Sequence, residues 1–450
     1  MSKKFTPVQL VVLSFIAIIT TGAILLMLPY SSASNRFTDP ITAIFTATSA
    51  TCVTGLVVVD IGTYWSLFGQ IVILLLIQIG GLGYMTISTF FLIFANRRVT
   101  LRQRFLLKEG LNVYKLTGII SFAKTIFFTV LFFEGLGAFA LSLRFLKDFT
   151  PIKSIWMGIF HSISAFCNAG LDIVGNFKSF TGYANDLTLN LTVMTLIIFG
   201  GIGFYVIWEI LNKIRDRFTS GERKKLSLHS KLVLRITAIL VISGAIFILL
   251  LEWNNPATLG GLPLRGKILS SFFQSITPRT AGFNTLNTSI MNPATLLITI
   301  FLMFIGGSPG GTAGGVKTTT FAVVIFLLLS AFKEKTPITS NGRTIKLSIV
   351  RRAVFITGFA VFIILVSTFL ILVAQGEKFT LLQALFEVTS AFGTVGLSTG
   401  ITRQLSSFSR IVIIATMFIG RVGPLSFILS FATRKEKIHP EYPEEEVAVG

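Results

Sequence analysis

Four short stretches of this chain carry residues suited to holding a bare cation. They are Val53-Thr54-Gly55, Asn168-Ala169-Gly170, Thr280-Ala281-Gly282 and Thr394-Val395-Gly396. Each sits in a segment of one design: SATCVTGL (49–56), SAFCNAGL (164–171), TPRTAGF (277–283) and TSAFGTVGL (389–397). A helix-compatible run leads to small or polar residues, then to a glycine followed by Leu or Phe. The four glycines fall 115, 112 and 114 residues apart, which marks one unit used four times. The chemistry open to such residues is backbone coordination, with carbonyl oxygens replacing the hydration shell of a dehydrated monovalent cation. Glycine allows the strand to turn its carbonyls inward at backbone angles that a side chain opposes. No ring of Asp or Glu accompanies the four glycines, which turns the reading away from a hydrated ion chosen by carboxylates.

A second glycine pattern follows each stretch: IGGLGY (79–84), FGGIGF (199–204), IGGSPGG (305–311) and IGRVGP (419–424). In the first two units it reads as small residues that let helices approach closely. In the third, Gly306, Gly307, Gly310, Gly311, Gly314 and Gly315 crowd into one segment with Pro309, a composition a helix tolerates poorly. That segment interrupts an apolar stretch, 293–332, about twice as long as one span needs. It reads as an intramembrane loop lining a water-filled path, and hence as a gate, with Lys317 at its end. The run 310–318, GGTAGGVKT, approaches a phosphate-binding loop, but Val316 separates the last glycine from Lys317 and apolar spans flank it, so nucleotide binding is rejected. Arg421 replaces the second glycine of the fourth pattern inside an apolar segment. An intramembrane charge of this kind reads as part of the gate, the alternative being a packing salt bridge to Glu134, Glu209 or Glu387. Cys52 and Cys167 exclude a disulfide framework and read as small backing residues, while His161 and His229 read as ordinary.

The elements that must position these residues follow from composition. The chain has 450 residues, 52% apolar and only 13% charged, with a mean hydropathy of +0.79. Repeated runs of about 20 apolar residues have the length that crosses a bilayer. The predicted fold class is all-α integral membrane, with eight transmembrane helices and four re-entrant pore hairpins in pseudo-four-fold helix–pore-helix–helix repeats. Repeat 1 (1–95) has spans at 10–29 and 65–95 around a half-membrane helix at 40–50. Repeat 2 (96–215) has spans at 116–143 and 187–211 around 151–166. Repeat 3 (216–332) has a span at 231–251, a short helix at 266–276 and the broken second span. Repeat 4 (333–433) has spans at 348–374 and 409–432 around 380–392, and an acidic cytoplasmic tail (434–450) ends the chain. The net charge of +20 collects in patches after every second span, as the positive-inside rule requires. This argues for both termini in the cytoplasm and against nucleic acid. No cluster of nucleophile, base and acid points to an enzyme, and no organic cofactor is expected.

With eight spans, four hairpins and one glycine per hairpin, the chain resembles the Trk/Ktr/HKT superfamily of potassium transporters over residues 8–433, and within it the Ktr-type membrane subunit. Thr394-Val395-Gly396 is the core of the potassium-channel signature, although none of the four stretches continues with its Tyr-Gly. The resemblance implies K+ as the ion and often a dependence on Na+. It also implies a homodimer of independent pores in a bacterial cell membrane, gated by a cytosolic RCK-type nucleotide-binding ring (KtrA/KtrC-like). The competing reading is a secondary transporter working by alternating access, but such folds usually pair inverted repeats, and here all four units share one orientation.

Overall fold

The computed structural model describes residues 6–83, 119–219, 225–333, 338–340, 342–423 and 427–428. The first unit opens on α1 (Pro7–Met27), begun by a capping box between Thr6 and Gln9. Then comes α2 (Pro40–Thr51), whose start is fixed by Pro40 and by Asp39 accepting the Thr42 N–H at 3.0 Å. A single turn, α3 (Ile61–Tyr64), and α4 (Leu67–Leu82) complete it, capped by Asp60 and Ser66. The second unit comprises α5 (Ile119–Phe145), α6 (Pro151–Phe166), α7 (Leu187–Gly201) and α8 (Phe204–Thr219). The third comprises α9 (Leu228–Glu252), α10 (Leu264–Ile276), α11 (Pro293–Phe304) and α12 (Thr318–Phe332). A small antiparallel hairpin, β1 (Thr339–Ser340) and β2 (Arg343–Thr344), precedes the fourth unit. That unit comprises α13 (Leu347–Gln375), α14 (Leu381–Gly393) and α15 (Ser407–Val422).

The helices divide by length. Four described helices are long and apolar enough to cross a membrane, running Gln9–Met27, Ile120–Phe145, Leu228–Glu252 and Leu347–Lys378. They send large apolar side chains outward, among them Phe128, Phe132 and Phe139, each about two-thirds exposed. In water such a belt would be costly; against hydrocarbon it is neutral or favourable. The short helices α2, α6, α10 and α14 have 12, 16, 13 and 13 residues. At about 1.5 Å per residue they span roughly 18–24 Å, short of a hydrocarbon core of about 30 Å. They are mostly buried, with Phe45, Phe160, Phe166, Phe273, Phe386 and Phe392 fully enclosed.

Glycine ends or interrupts the second helical segment of each unit where it is described. Gly83, Gly203 and Gly423 all follow the apolar run with φ between +78° and +95°, a backbone region open to glycine and strained for other residues. In the second unit the chain turns by 97° between α7 and α8. That differs from the expected continuous span at 187–211: the second FGGIGF glycine pair admits close packing, and its last glycine breaks the helix. In the third unit the glycine-rich residues 305–317 separate α11 from α12. Residues 84–95 of the first unit's second span, the basic stretch 97–115 and the tail 434–450 lie outside the described residues.

Candidate functional site: a ring of four turns and the loop beneath it

Each short helix ends in the same way. The residue two before the glycine turns left-handed: Val53, Asn168, Thr280 and Thr394 have φ between +51° and +70°. For β-branched Val and Thr this conformation is strained and needs surrounding structure to hold it. The support comes from the last turn of the helix. The N–H groups of Thr54, Ala169, Ala281 and Val395 donate to the carbonyls of Ser49, Ser164, Thr277 and Ser390 at 2.7–2.9 Å. The same hydroxyl-bearing residues act a second time through their side chains. Ser49 Oγ and Ser390 Oγ accept the N–H groups of Gly55 and Gly396 at 3.1 and 3.0 Å. Ser164 Oγ and Thr277 Oγ1 donate instead to the carbonyls of Leu171 and Phe283 just beyond their glycines. These four tethers went unnoticed in the sequence, although three of them stand six residues before their glycine.

With the amides tied back to the helices, the four glycines close on one another. A methyl group added to Gly55 would lie 2.7 Å from the carbonyl oxygen of Ala169 and 3.2 Å from the Cα atoms of both Gly170 and Gly396. Added to Gly170, Gly282 and Gly396, it would press still closer on the carbonyl oxygens of Ala281, Val395 and Thr54. The turns therefore form a ring in chain order, each glycine against the carbonyl of the next turn, with the fourth returning to the first. All four glycines have positive φ, from +64° to +95°. The hydroxyls of Thr54, Thr280 and Thr394 are buried there without a hydrogen-bond partner among the described residues. The negative ends of four helices face the same centre, which favours a cation. No group of three or more His, Cys, Asp or Glu that could hold a metal occurs among the described residues. One carboxylate does come near: Asp172, two residues past Gly170, accepts the Val174 N–H at 3.2 Å.

Against one side of this ring lies the glycine loop of the third unit. Its ends are joined by an isolated bridge between Ile305 and Val316 and by the Thr318 N–H donating to Gly307 at 3.1 Å. Thr312 Oγ1 lies 3.1 Å from Asn168 Oδ1, and a methyl on Gly314 would collide with the side chain of Thr394. The loop thus touches the first residue of the second and fourth turns. It is strapped to the break between α7 and α8 by three backbone hydrogen bonds: Ser308 to Gly201 at 2.9 Å, Thr312 to Gly200 at 3.2 Å and Phe204 to Gly310 at 3.0 Å. The 97° turn exposes these groups, because the helix no longer uses them. Gly306, Gly307, Gly310, Gly311, Gly314 and Gly315 line this folded loop, and the Lys317 ammonium bonds back to the Ala313 carbonyl.

Arg421, in α15, donates to the carbonyls of Thr312, Gly80 and Gly81. One guanidinium thereby ties the third unit's loop to the first unit's α4. The carboxylates named as its alternative partners are engaged elsewhere. Glu134 receives Gln78 at 3.1 Å, Glu209 receives Ser227 at 2.7 Å, and Glu387 receives Ser398 at 2.8 Å. Arg144 pairs with Asp148 and Asp186. The glycine patterns also pack within their own units: a methyl on Gly80, Gly200 or Gly420 would strike the carbonyl of Thr51, Phe166 or Phe392. Each of these carbonyls stands four residues before a ring glycine.

Comparison with known proteins places the chain in company. Residues 2–439 match the family model described as TrkH, cation transport protein. The chain is 40% identical to Ktr system potassium uptake protein B of Bacillus subtilis (strain 168), the match covering 99% of this chain and 97% of that protein. It is 38% identical to potassium/sodium uptake protein NtpJ of Enterococcus hirae, across 100% of this chain and 98% of the relative. The backbone resembles the crystal structure of the potassium transporter TrkH from Vibrio parahaemolyticus with a TM-score of 0.74. That likeness covers 96% of this chain and 86% of the other at 17% identity, and so speaks for the fold alone.

Proposed function

The chain belongs to the TrkH family of cation transport proteins, and on that premise we propose that it takes up potassium through the ring of four turns. The observation that carries this reading is the closure of the ring, in which each glycine faces the next turn's carbonyl oxygen. Carbonyls held at fixed separation can replace the hydration shell of K+, and the buried hydroxyls of Thr54, Thr280 and Thr394 add further oxygens. In this reading Val53, Thr54, Gly55, Asn168, Ala169, Gly170, Thr280, Ala281, Gly282, Thr394, Val395 and Gly396 form a selectivity filter. On the same reading the second segments, interrupted or ended at glycine where described, complete eight spans around it. The loop at Gly306–Gly315, with Lys317 and Arg421, is the gate, supported by its contacts to Asn168 and Thr394 and by the Arg421 tie. The relatives named above are ion transporters, in keeping with a chain that is not an enzyme.

The remaining parts of the proposal rest on the family. The protein sits in the bacterial plasma membrane with both termini in the cytoplasm and works as a homodimer. A cytosolic RCK-type ring opens the gate. Na+ enters as a co-ion or activator, in line with the printed name of the Enterococcus relative. The direct test is Gly396→Ser, expressed in cells lacking their own potassium uptake. A hydroxymethyl group there presses on the Thr54 carbonyl at a φ of +94°. The expected outcome is a rise in the half-saturating K+ concentration and a loss of discrimination against Na+, each by about tenfold or more. Unchanged values in folded Gly396→Ser would remove the filter assignment.

A further inference from the structure

Two buried ionisable side chains stand behind the ring at one equivalent position, with no part in the reading above. His161 in α6 and Glu387 in α14 each lie nine residues before the glycine of their own turn, Gly170 and Gly396. Both are fully buried. The same helix position, three residues before the tether, holds Thr46 in the first unit, whose hydroxyl returns to the Thr42 carbonyl at 2.9 Å. In the third unit, which is one residue shorter before its glycine, it holds Gln274, whose buried amide has no hydrogen-bond partner among the described residues. Gly170 and Gly396 are each neighbours of both Gly55 and Gly282. They therefore face one another across the ring, and so do the two strands that leave them.

His161 and Glu387 each reach the strand after the glycine. The Ile173 N–H, three residues past Gly170, donates to His161 Nε2 at 3.3 Å. A ring nitrogen that accepts carries no proton, so the proton sits on Nδ1, which donates to the Met157 carbonyl at 2.7 Å. The imidazole is fixed between the helix and the strand, and Phe145, Phe160, Phe180 and Phe283 pack around it with ring centres 5.2–6.4 Å away. On the opposite side, Glu387 accepts the hydroxyl of Ser398 at 2.8 Å and that of Thr402. Ser398 stands two residues past Gly396, and its oxygen also receives the Gly400 N–H at 2.9 Å. The Ser398 carbonyl in turn accepts the Thr288 hydroxyl. These strands have no sheet ladder to hold them, so each buried amide or hydroxyl needs a side-chain partner.

We propose that His161 and Glu387 are positioning residues that brace the two facing strands of the ring from behind and set the carbonyl spacing on which ion discrimination depends. A coordination site loosens with displacements of about half an ångström, so a brace on only two of four strands is felt by the whole ring. The inference rests on the ring being the selectivity filter.

The test compares His161→Phe and Glu387→Leu with Gly396→Ser in cells lacking potassium uptake, reading the half-saturating K+ concentration and the K+/Na+ preference. Neither quantity depends on how much protein folds. His161→Phe keeps an aromatic ring within its aromatic neighbours and removes the acceptor; Glu387→Leu removes both acceptors. Each should lower the K+/Na+ preference about tenfold, from the loss of a buried hydrogen-bond partner. Glu387→Gln should retain most of the preference, because Ser398 and Thr402 hydroxyls can donate to its oxygen or accept from its amide. Thr46→Ala, at the same position in the first unit, should leave it at the wild-type value. Wild-type preference in both His161→Phe and Glu387→Leu, alongside an altered Gly396→Ser, would overturn the brace and leave the filter standing. An equal loss in Thr46→Ala would also overturn it, since any change in a short helix would then serve. If Gly396→Ser keeps the wild-type preference, the filter reading falls first and the brace with it.

Discussion

At the scale of single residues, the ring depends on a few side chains accepting conformations they would not choose. Val53 and Thr394 are β-branched yet left-handed, and the tethers from Ser49 and Ser390 hold them there. Arg421 is the other residue whose surroundings decide its role. It contacts three carbonyls on two units and no carboxylate among the described residues, which leaves its charge facing neutral oxygens there, beside the path proposed for the ion. At about 6 Å, with an effective dielectric near 20, such a charge opposes a passing cation by roughly 3 kcal/mol. Arg421→Gln should therefore raise initial uptake per folded protein by about ten- to a hundredfold. Arg421→Lys should fall between the two, because it keeps the charge but loses the forked donor geometry. Equal uptake by wild type and Arg421→Gln would reduce Arg421 to a structural tie.

At the scale of elements, the break between α7 and α8 and the loop between α11 and α12 form one mechanical part. Gly203, at a φ of +95°, produces the turn that frees Gly200, Gly201 and Phe204 to hold the loop. A methyl there would strain the backbone and strike the Pro309 carbonyl. Gly203→Ala should loosen the straps and raise basal potassium uptake severalfold. The K+/Na+ preference should stay the same, because the ring itself is untouched. A folded Gly203→Ala protein with normal basal uptake would mean that the straps do not restrain the loop.

At the scale of the whole molecule, α8 extends away from those straps and carries exposed Lys213, Arg215 and Arg217. It runs from the loop's anchor at its first residue to a basic surface at its end, a geometry suited to passing a push from the proposed cytosolic partner to the proposed gate. Coupling between sites typically changes affinity or population by about 5–150-fold. Uptake by this chain should rise within that range when an RCK-type partner is expressed with it. Replacing Lys213, Arg215 and Arg217 together by Gln should diminish that rise while leaving uptake by the chain alone unchanged. The same response to the partner with and without these charges would place the contact elsewhere.

Much of this architecture was legible in the order of residues, because its signals are local. Four evenly spaced glycines pointed to the four similar turns, the apolar runs to a mostly helical chain, and six glycines in ten residues to the break between α11 and α12. Length, spacing and helix-breaking composition need no neighbour to be read. What the sequence left open depends on groups that meet from far apart in the chain. The Arg421 bond to Gly80 joins residues 341 positions apart, and Thr312 meets Asn168 across 144. An arginine deep in an apolar helix has several carboxylates within conceivable reach, and only folding selects carbonyls over all of them. The same holds for His161, which looked ordinary because its partner is a backbone amide rather than another motif. The close approach of Gly80 and Gly200 was foreseen, whereas the turn at Gly203 was not: an apolar run with three glycines fits either a straight or a bent helix. The tertiary contacts with the loop decide for the bend, because they supply hydrogen bonds to the backbone groups that it exposes.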